Sequence, residues 1–203
     1  MKKLLLIIIV FVTSLSYCQT AEQYFKRGIS KDSLKDRRGA IDDYTKAIEL
    51  NPNYIEAYLN RGLSKASLAN RFKHTTNGNG TYYDIAFEKT NLEDRRGAIE
   101  DFTKAIELNP NYIEAYFNRG LSKASLAKRK RFNSNGTEDT SYDSAFEKAK
   151  LEDYRAAIED YTKAIELNPN YSEAYRGRGW SKNELKDKKG ARLDWAKAQE
   201  LEK

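Results

Sequence analysis

KAIELNPNY occupies Lys46–Tyr54, and the same nine residues return at Lys104–Tyr112 and Lys163–Tyr171. All three prolines of the chain, Pro52, Pro110 and Pro169, sit inside these copies. A second string, NRGLSKASLA, occurs at Asn60–Ala69 and again at Asn118–Ala127. Self-similarity of this kind marks an array of stacked supersecondary units, so it decides the architecture ahead of any local propensity. The Asn-Pro pair closes a helix, because the residue before a proline is pushed out of the α region. The proline ring then restricts the turn that follows.

Working outward from each proline, a frame of about 34 residues aligns the chain with itself. With proline at position 32, position 8 is Gly28, Gly62, Gly120 and Gly179. Position 20 is Ala40, Ala98, Ala157 and Ala191, and position 27 is Ala47, Ala105, Ala164 and Ala198. Aromatic residues recur at position 4 (Tyr24, Tyr58, Tyr116, Tyr175) and position 24 (Tyr44, Phe102, Tyr161, Trp195). Small residues at 8, 20 and 27 let two helices approach closely, and the aromatics fill the remaining space. Asp36, Asp94, Asp153 and Asp187 fall at position 16, where an Asp caps the start of a second helix.

This pattern resembles the tetratricopeptide repeat. The resemblance covers residues 21–203 and implies an all-α fold: a right-handed superhelical solenoid of four helix-turn-helix repeats, at 21–54, 55–112, 113–171 and 172–203. It departs from the family at position 7, usually Leu and here Arg27, Arg61, Arg119 and Arg178, and at position 11, usually Tyr and here Lys31, Lys65, Lys123 and Lys182. Position 23 is Asp in every repeat (Asp43, Asp101, Asp160, Asp194). Equal recurrence of opposite charges predicts a ladder of Arg–Asp pairs between helices, because a buried Arg without a partner is costly.

Repeats 2 and 3 are longer than the frame. Their prolines lie 58 and 59 residues after the preceding one, which leaves insertions of 24 and 25 residues. The position-14 leucine appears twice in each, as Leu68 and Leu92 and as Leu126 and Leu151, so the extra segments enter between the two helices of a repeat. Each reads as a polar loop, Thr75–Thr81 or Asn133–Thr140, followed by a helical piece, Tyr83–Leu92 or Tyr142–Leu151. The expected shape is a projecting helical hairpin at one edge. Such insertions serve either as a working face or as surface elaboration, since loops accept length cheaply. The run Lys128-Arg129-Lys130-Arg131 reads as a solvated helix end, the alternative being, with Phe132 beside it, a contact for an anionic polymer or lipid headgroups. The Asn-Gly-Thr triplets at Asn79 and Asn135 match a glycan acceptor pattern and are equally good turn chemistry.

Residues 1–18 read as a secretory signal: Lys2 and Lys3, then the apolar run Leu4–Val12, then small residues before a cut. The run is far shorter than the ~20 residues of a spanning helix. Cleavage before Gln19 is the favoured processing. The alternative is lipidation of Cys18, since Leu15–Cys18 resembles a lipobox in which Tyr17 fits poorly. Both place the mature array, 19–203, outside the cytoplasm, in the periplasm or at the cell envelope, with an outer-membrane lipoprotein as the alternative.

The 203 residues carry 36 Lys+Arg against 30 Asp+Glu, a formal charge of +6, with 33% charged and 39% hydrophobic residues. That is too polar for a multi-span membrane protein and too apolar for a disordered chain. The charge excess is mild and predicts no nucleic-acid partner. One Cys and one His exclude a disulfide framework within the chain and most metal sites. No phosphate-cradling loop or nucleophile motif is present, and His74 stands without nearby ligands. The chain is therefore expected to be non-catalytic and to use no cofactor.

In the family that the repeats resemble, the first helix of each repeat lines a concave groove. Carried over by position, the groove residues are Phe25, Leu59, Phe117 and Arg176 at position 5, and Ile29, Leu63, Leu121 and Trp180 at position 9. Asn60 and Asn118 stand at position 6, where some relatives hold a ligand's backbone or terminal carboxylate; here repeats 1 and 4 have Lys26 and Gly177 instead. Position 2 is Glu in all four repeats. The resemblance thus implies an apolar groove with an acidic edge, suited to a peptide or protein segment with apolar anchors. The alternative at positions 5 and 9 is plain packing between repeats. In repeat 4, Arg192 and Gln199 replace the Ile of positions 21 and 28, as a terminal cap requires. Lys203 is accordingly expected to be a true end and the chain a monomer. The overall expectation is an interaction module or scaffold of the envelope, or an anchored structural or accessory subunit acting through the insertions.

Overall fold

The structure, a computed structural model, describes residues 19–69, 74–77, 80–83, 85–130, 139, 141 and 143–203. Eight helices follow one another among them: α1 (Ala21–Ser33), α2 (Arg37–Leu50), α3 (Ile55–Leu68), α4 (Ile85–Leu108), α5 (Ile113–Ala127), α6 (Ser144–Leu167), α7 (Ser172–Glu184) and α8 (Lys188–Leu201). Each helix packs on the next, and the tightest pairings are α1 with α2, α3 with α4, α5 with α6 and α7 with α8. These are the four expected repeats. The first helices also touch across repeats, α1 to α3, α3 to α5 and α5 to α7, so they line the inner surface of the array.

Local chemistry sets the helix ends. Thr20 begins α1 with a reciprocal cap: its hydroxyl accepts from the Gln23 amide at 3.2 Å, and the Gln23 side chain accepts from the Thr20 amide at 3.0 Å. Asp36 and Asp187 cap α2 and α8 by accepting from the amides of Gly39 and Gly190 at 3.0 and 2.9 Å. In repeats 1 and 4 the chain reaches that Asp through a left-handed residue, Lys35 (φ 64°) or Lys186 (φ 68°). At the far end, Asn51, Asn109 and Asn168 each accept, through Oδ1, from the amide two residues on at 3.1 Å. The Asn-Pro pair therefore builds its own turn.

The position-8 glycines sit against the position-24 aromatics. A Cβ on Gly62 would lie 2.7 Å from Phe102 Cε1, and one on Gly179 would lie 2.7 Å from Trp195 Nε1. Ala40, Ala98, Ala157 and Ala191 are fully buried beside them.

The insertions depart from the expected helical hairpin. In repeat 2, His74–Asn77 and Gly80–Tyr83 form an antiparallel β-hairpin, with His74 opposite Tyr83 and Asn77 opposite Gly80. This is where a polar loop was expected. The helical pieces exist, but they are not separate: no break occurs at Leu92 or Leu151, and α4 and α6 each run 24 residues without interruption. At 1.5 Å per residue they reach about 36 Å, against about 21 Å for the 14-residue α2. Asp94 and Asp153 consequently lie inside helices and cap nothing. An N-cap needs non-helical backbone, which a turn supplies in repeats 1 and 4; Asn91–Glu93 and Leu151–Glu152 are already helical. The cap of α6 is Asp143 instead, which accepts from the amides of Ala145 and Phe146 at 2.9 and 3.1 Å. Residues 1–18, with the expected signal segment and Cys18, most of the second insertion's loop, and the His74 side chain lie outside what the structure describes. Among the described residues no helix is long and apolar enough to cross a membrane.

Candidate functional site

Two features stand out, a structural one that recurs across the array and one open to solvent between repeats 3 and 4. The structural feature is the charge ladder. Arg61 donates through Nε and Nη2 to Asp101, the latter at 2.6 Å, and Arg119 does the same to Asp160 at 2.7 Å. Arg178 donates to Asp194 at 2.9 and 2.7 Å, and Arg27 donates to Asp43. The second departure from the family pattern joins the same carboxylate: Lys31, Lys65, Lys123 and Lys182 lie 2.8–2.9 Å from those aspartates. Arg and Lys stand four residues apart, on one helix face, and both converge on one buried Asp. Three of the four arginines also span repeats: Nη1 of Arg61, Arg119 and Arg178 donates to Thr45, Thr103 and Thr162 of the preceding repeat at 3.1–3.2 Å.

Electrostatics follow the geometry. The Arg27 guanidinium and the Lys31 ammonium hold Asp43 below the usual carboxylate range despite burial. At Asp194 burial pushes upward, but Arg178 and Lys182 outweigh it and the carboxyl is lowered. Asp94, which lost its capping role, is raised by burial against the pull of Arg38 and Lys65.

The insertion edges are pinned by cations. Arg95 of α4 donates to the Ala69 carbonyl at 2.9 Å and the Ser125 carbonyl at 3.1 Å, tying together the ends of α3 and α5. Arg129 pairs with Asp153, donates to the Leu126 carbonyl at 2.9 Å and lies 5.3 Å from the Phe146 ring centroid. Arg129, at least one member of the basic run, is thus more than a solvated charge, and Arg131 lies outside the described residues. Lys128 packs its ammonium 3.8 Å from the centroid of the Trp180 ring.

The open feature lies on the inner surface between α5 and α7. Phe117, Leu121, Arg176 and Trp180 line a cavity of about 350 Å³, with Tyr161 on its floor and Lys128 and Glu173 at its rim. These four are groove positions inferred from the repeat frame, and the fold brings them to one place. The other six are distributed differently. Leu59 is buried at 9% exposure and belongs to the core. Phe25 stacks on Tyr54 at 4.8 Å. Ile29 and Leu63 remain exposed on the same helix series. Asn60 and Asn118 donate their side-chain amides to the Glu56 and Glu114 carbonyls of their own helices at 2.8 and 2.7 Å.

Two residues lining this cavity, Gly177 and Lys128, and one packed behind its Trp180, Tyr154, went unread in the sequence. Tyr154 stands where the other repeats have Arg37, Arg95 and Lys188; it packs edge-on against Trp180 at 5.5 Å, and burial pushes its hydroxyl up to about 12. Gly177 replaces the Asn of position 6, and a Cβ there would lie 2.7 Å from Tyr161 Cζ, so the missing side chain is what keeps the floor accessible. Lys128 enters because α5 continues toward the insertion instead of turning into a second helix. For Tyr154 and Gly177 the signal was a departure of one repeat from the other three.

Comparison with known proteins agrees with this geometry. The family described as TPR repeat matches residues 37–68 and 94–126, and tetratricopeptide repeat matches 145–171. The chain is a tetratricopeptide repeat protein. Its fold is one that typically serves as a non-catalytic interaction scaffold. Rat serine/threonine-protein phosphatase 5 is 29% identical over 154 residues, 76% of this chain and 20% of that protein. The small glutamine-rich tetratricopeptide repeat-containing protein 2 of Mycosarcoma maydis is 26% identical over 81% of this chain and 33% of its own length. The chain thus spans only a fifth to a third of these relatives. Among solved structures, MamA from Desulfovibrio magneticus aligns with a TM-score of 0.62 at 18% identity, over 90% of this chain and 75% of that one. The first TPR of Spaghetti (RPAP3), bound to an HSP90 peptide, aligns at 0.54 and 20% identity, over 83% and 95%. At such identities these structures speak for the fold alone. Among the described residues no cluster of three or more His, Cys, Asp or Glu could hold a metal ion.

Proposed function

We propose that this protein is a non-catalytic interaction module that holds a peptide or protein segment in its concave groove, at the cavity between repeats 3 and 4. The observation that carries the reading is that Phe117, Leu121 and Trp180 leave an open apolar cavity on the inner surface, while the equivalent Leu59 is closed into the core. A cavity of this size takes one large apolar side chain of an extended or helical segment. The peptide-bound TPR of Spaghetti lends support as an example of the same fold holding a peptide. The N-terminal signal pattern supports a site of action outside the cytoplasm, in the periplasm or at the envelope. A pull-down from envelope extract with residues 19–203, beside Phe117→Ala and Leu121→Ala, tests it. Partners lost from both variants, whose helices remain folded by circular dichroism, support the groove; partners retained by both contradict it.

A second reading is supported by the lengthened α4 and α6. Each is about 15 Å longer than α2, and Leu151 of α6 is exposed. On this reading the protein is an envelope-anchored structural or accessory subunit, held by lipidated Cys18 and docking through the insertions. Partners lost on deletion of both insertions but kept by Phe117→Ala would favour it.

A further inference from the structure

Repeats 1 and 3 each carry a tyrosine at position 24, and the two hydroxyls have different fates. In repeat 1, Tyr44 donates to Asp32 Oδ2 at 3.1 Å, and Asp32 also accepts from Ser64 at 2.6 Å and Arg37 at 3.1 Å. In repeat 3 the residue in the place of Asp32 is Ala124. Ala124 lines the cavity, so the room that a carboxylate fills in repeat 1 is empty space in repeat 3. Tyr161 is 1% exposed, burial raises its hydroxyl, and it makes no hydrogen bond among the described residues. It is among the residues lining the cavity, and the absent Cβ of Gly177 would lie 3.1 Å from its hydroxyl oxygen. Among the described residues no buried side-chain polar atom lacks a partner, so the Tyr161 hydroxyl must keep its contact with solvent, and the cavity that the ring lines is where an acceptor can reach it.

The remaining polar lining has the same character. Lys128 and Arg176 bring cationic donors and Ser125 a hydroxyl, against the single carboxylate of Glu173. Arg176 is engaged by Glu202, while Lys128 rests on Trp180 and can reach inward. Donors outnumber acceptors around an apolar floor, so the complementary ligand is an acceptor attached to an apolar body.

We infer that the cavity reads an acidic side chain beside an apolar anchor: the anchor fills the space between Phe117, Leu121 and Trp180, and the ligand's Asp or Glu carboxylate takes the Tyr161 hydroxyl, reproducing in trans the Tyr44–Asp32 bond of repeat 1. This rests on the groove reading above and adds the chemistry of the segment. Lys128 supplies the counter-charge at the rim.

The test uses three fluorescein-labelled peptides with identical Gly-Ser flanks, titrated against residues 19–203 by fluorescence anisotropy. The first carries an internal Leu-Asp with an amidated end, the second an internal Leu-Asn with an amidated end, and the third ends in Leu with a free carboxylate. Leu-Asp is expected to bind about tenfold more tightly than Leu-Asn, the worth of one hydrogen bond to a charged group. Tyr161→Phe is expected to erase that ratio while leaving Leu-Asn binding unchanged; because the hydroxyl has no partner among the described residues, the variant folds. Lys128→Gln should reduce the ratio. Equal binding of Leu-Asp and Leu-Asn, a ratio unaffected by Tyr161→Phe, preference for the free C-terminus, or no binding by any peptide would each overturn the inference. If both amidated peptides bind alike and Phe117→Ala abolishes both, only the acidic requirement falls and the groove reading stands. If none binds, the pull-down judges the groove separately.

Discussion

The Arg61 guanidinium grips Asp101 through Nε and Nη2, although the two residues lie forty positions apart in the chain. The equivalent Arg27–Asp43 pair spans only sixteen. The insertion of repeat 2 accounts for the difference, and the bond geometry is preserved across it. The ladder therefore fixes the helix pairing of each repeat independently of what connects the two helices. A repeat array can accept added length at that point as long as the Arg, Lys and Asp of positions 7, 11 and 23 still meet.

Asp101→Ala should destabilise the protein by about 2–3 kcal/mol. The magnitude lies below that of a fully buried broken pair, because the Arg61 side chain keeps 16% exposure. Urea unfolding measures it. A change under about 0.5 kcal/mol, the size of an ordinary surface substitution, would sink the ladder as a stabilising element.

Acid should loosen the array in a defined direction. Asp43 and Asp194 have folded-state values below their ordinary ones. Their stabilising contribution is present above the ordinary carboxylate value and is lost as pH falls through the lowered one. Melting temperature should therefore decline as pH drops from about 4, and Asp43→Asn should show a shallower decline than the parent. Identical slopes would show that the carboxylate does not carry the effect.

Asp94 has the opposite sign. Its folded-state value is raised by burial, so its ionised form opposes folding once pH exceeds the ordinary carboxylate value. Asp94→Asn should raise the melting temperature at pH 7 by a few degrees and leave it unchanged near pH 3, where the group is protonated in both states. A lower melting temperature at pH 7 would mean that Asp94 still has a structural partner.

Gly62→Ala should cost about 1–3 kcal/mol through overpacking, since the new methyl would meet Phe102 at 2.7 Å. Thermal unfolding reads this directly, and an unchanged midpoint would contradict the close helix approach at position 8.

Most of the fold was legible because repetition supplied four copies of each constraint. The Gly, Ala and aromatic positions and the Arg–Asp pairing all stood out as recurrences, and the structure places them as inferred. What the sequence obscured lay where a repeat departs from its neighbours. The inserted helical pieces looked separate because Asp94 and Asp153 resemble caps, yet capping depends on a preceding turn that only repeats 1 and 4 possess. The candidate site shows the same contrast. Its apolar lining followed from the frame, whereas its opening depends on Gly177, which stands where the other repeats have Lys26, Asn60 and Asn118, and on Ala124, which stands where repeat 1 has Asp32. Leu59 illustrates the converse: its position matches that of Phe117, but its smaller side chain is packed into the core.

The most direct measurement is a titration of uniformly labelled residues 19–203 with the segment of a captured partner, followed by backbone and indole chemical-shift changes. The account predicts the largest shifts at the Trp180 indole, Gly177 and Leu121, with little change along Ile85–Glu93 and Ser144–Glu152. Shifts confined to those two lengthened helix starts, with Trp180 and Gly177 unmoved, would contradict the groove as the binding surface.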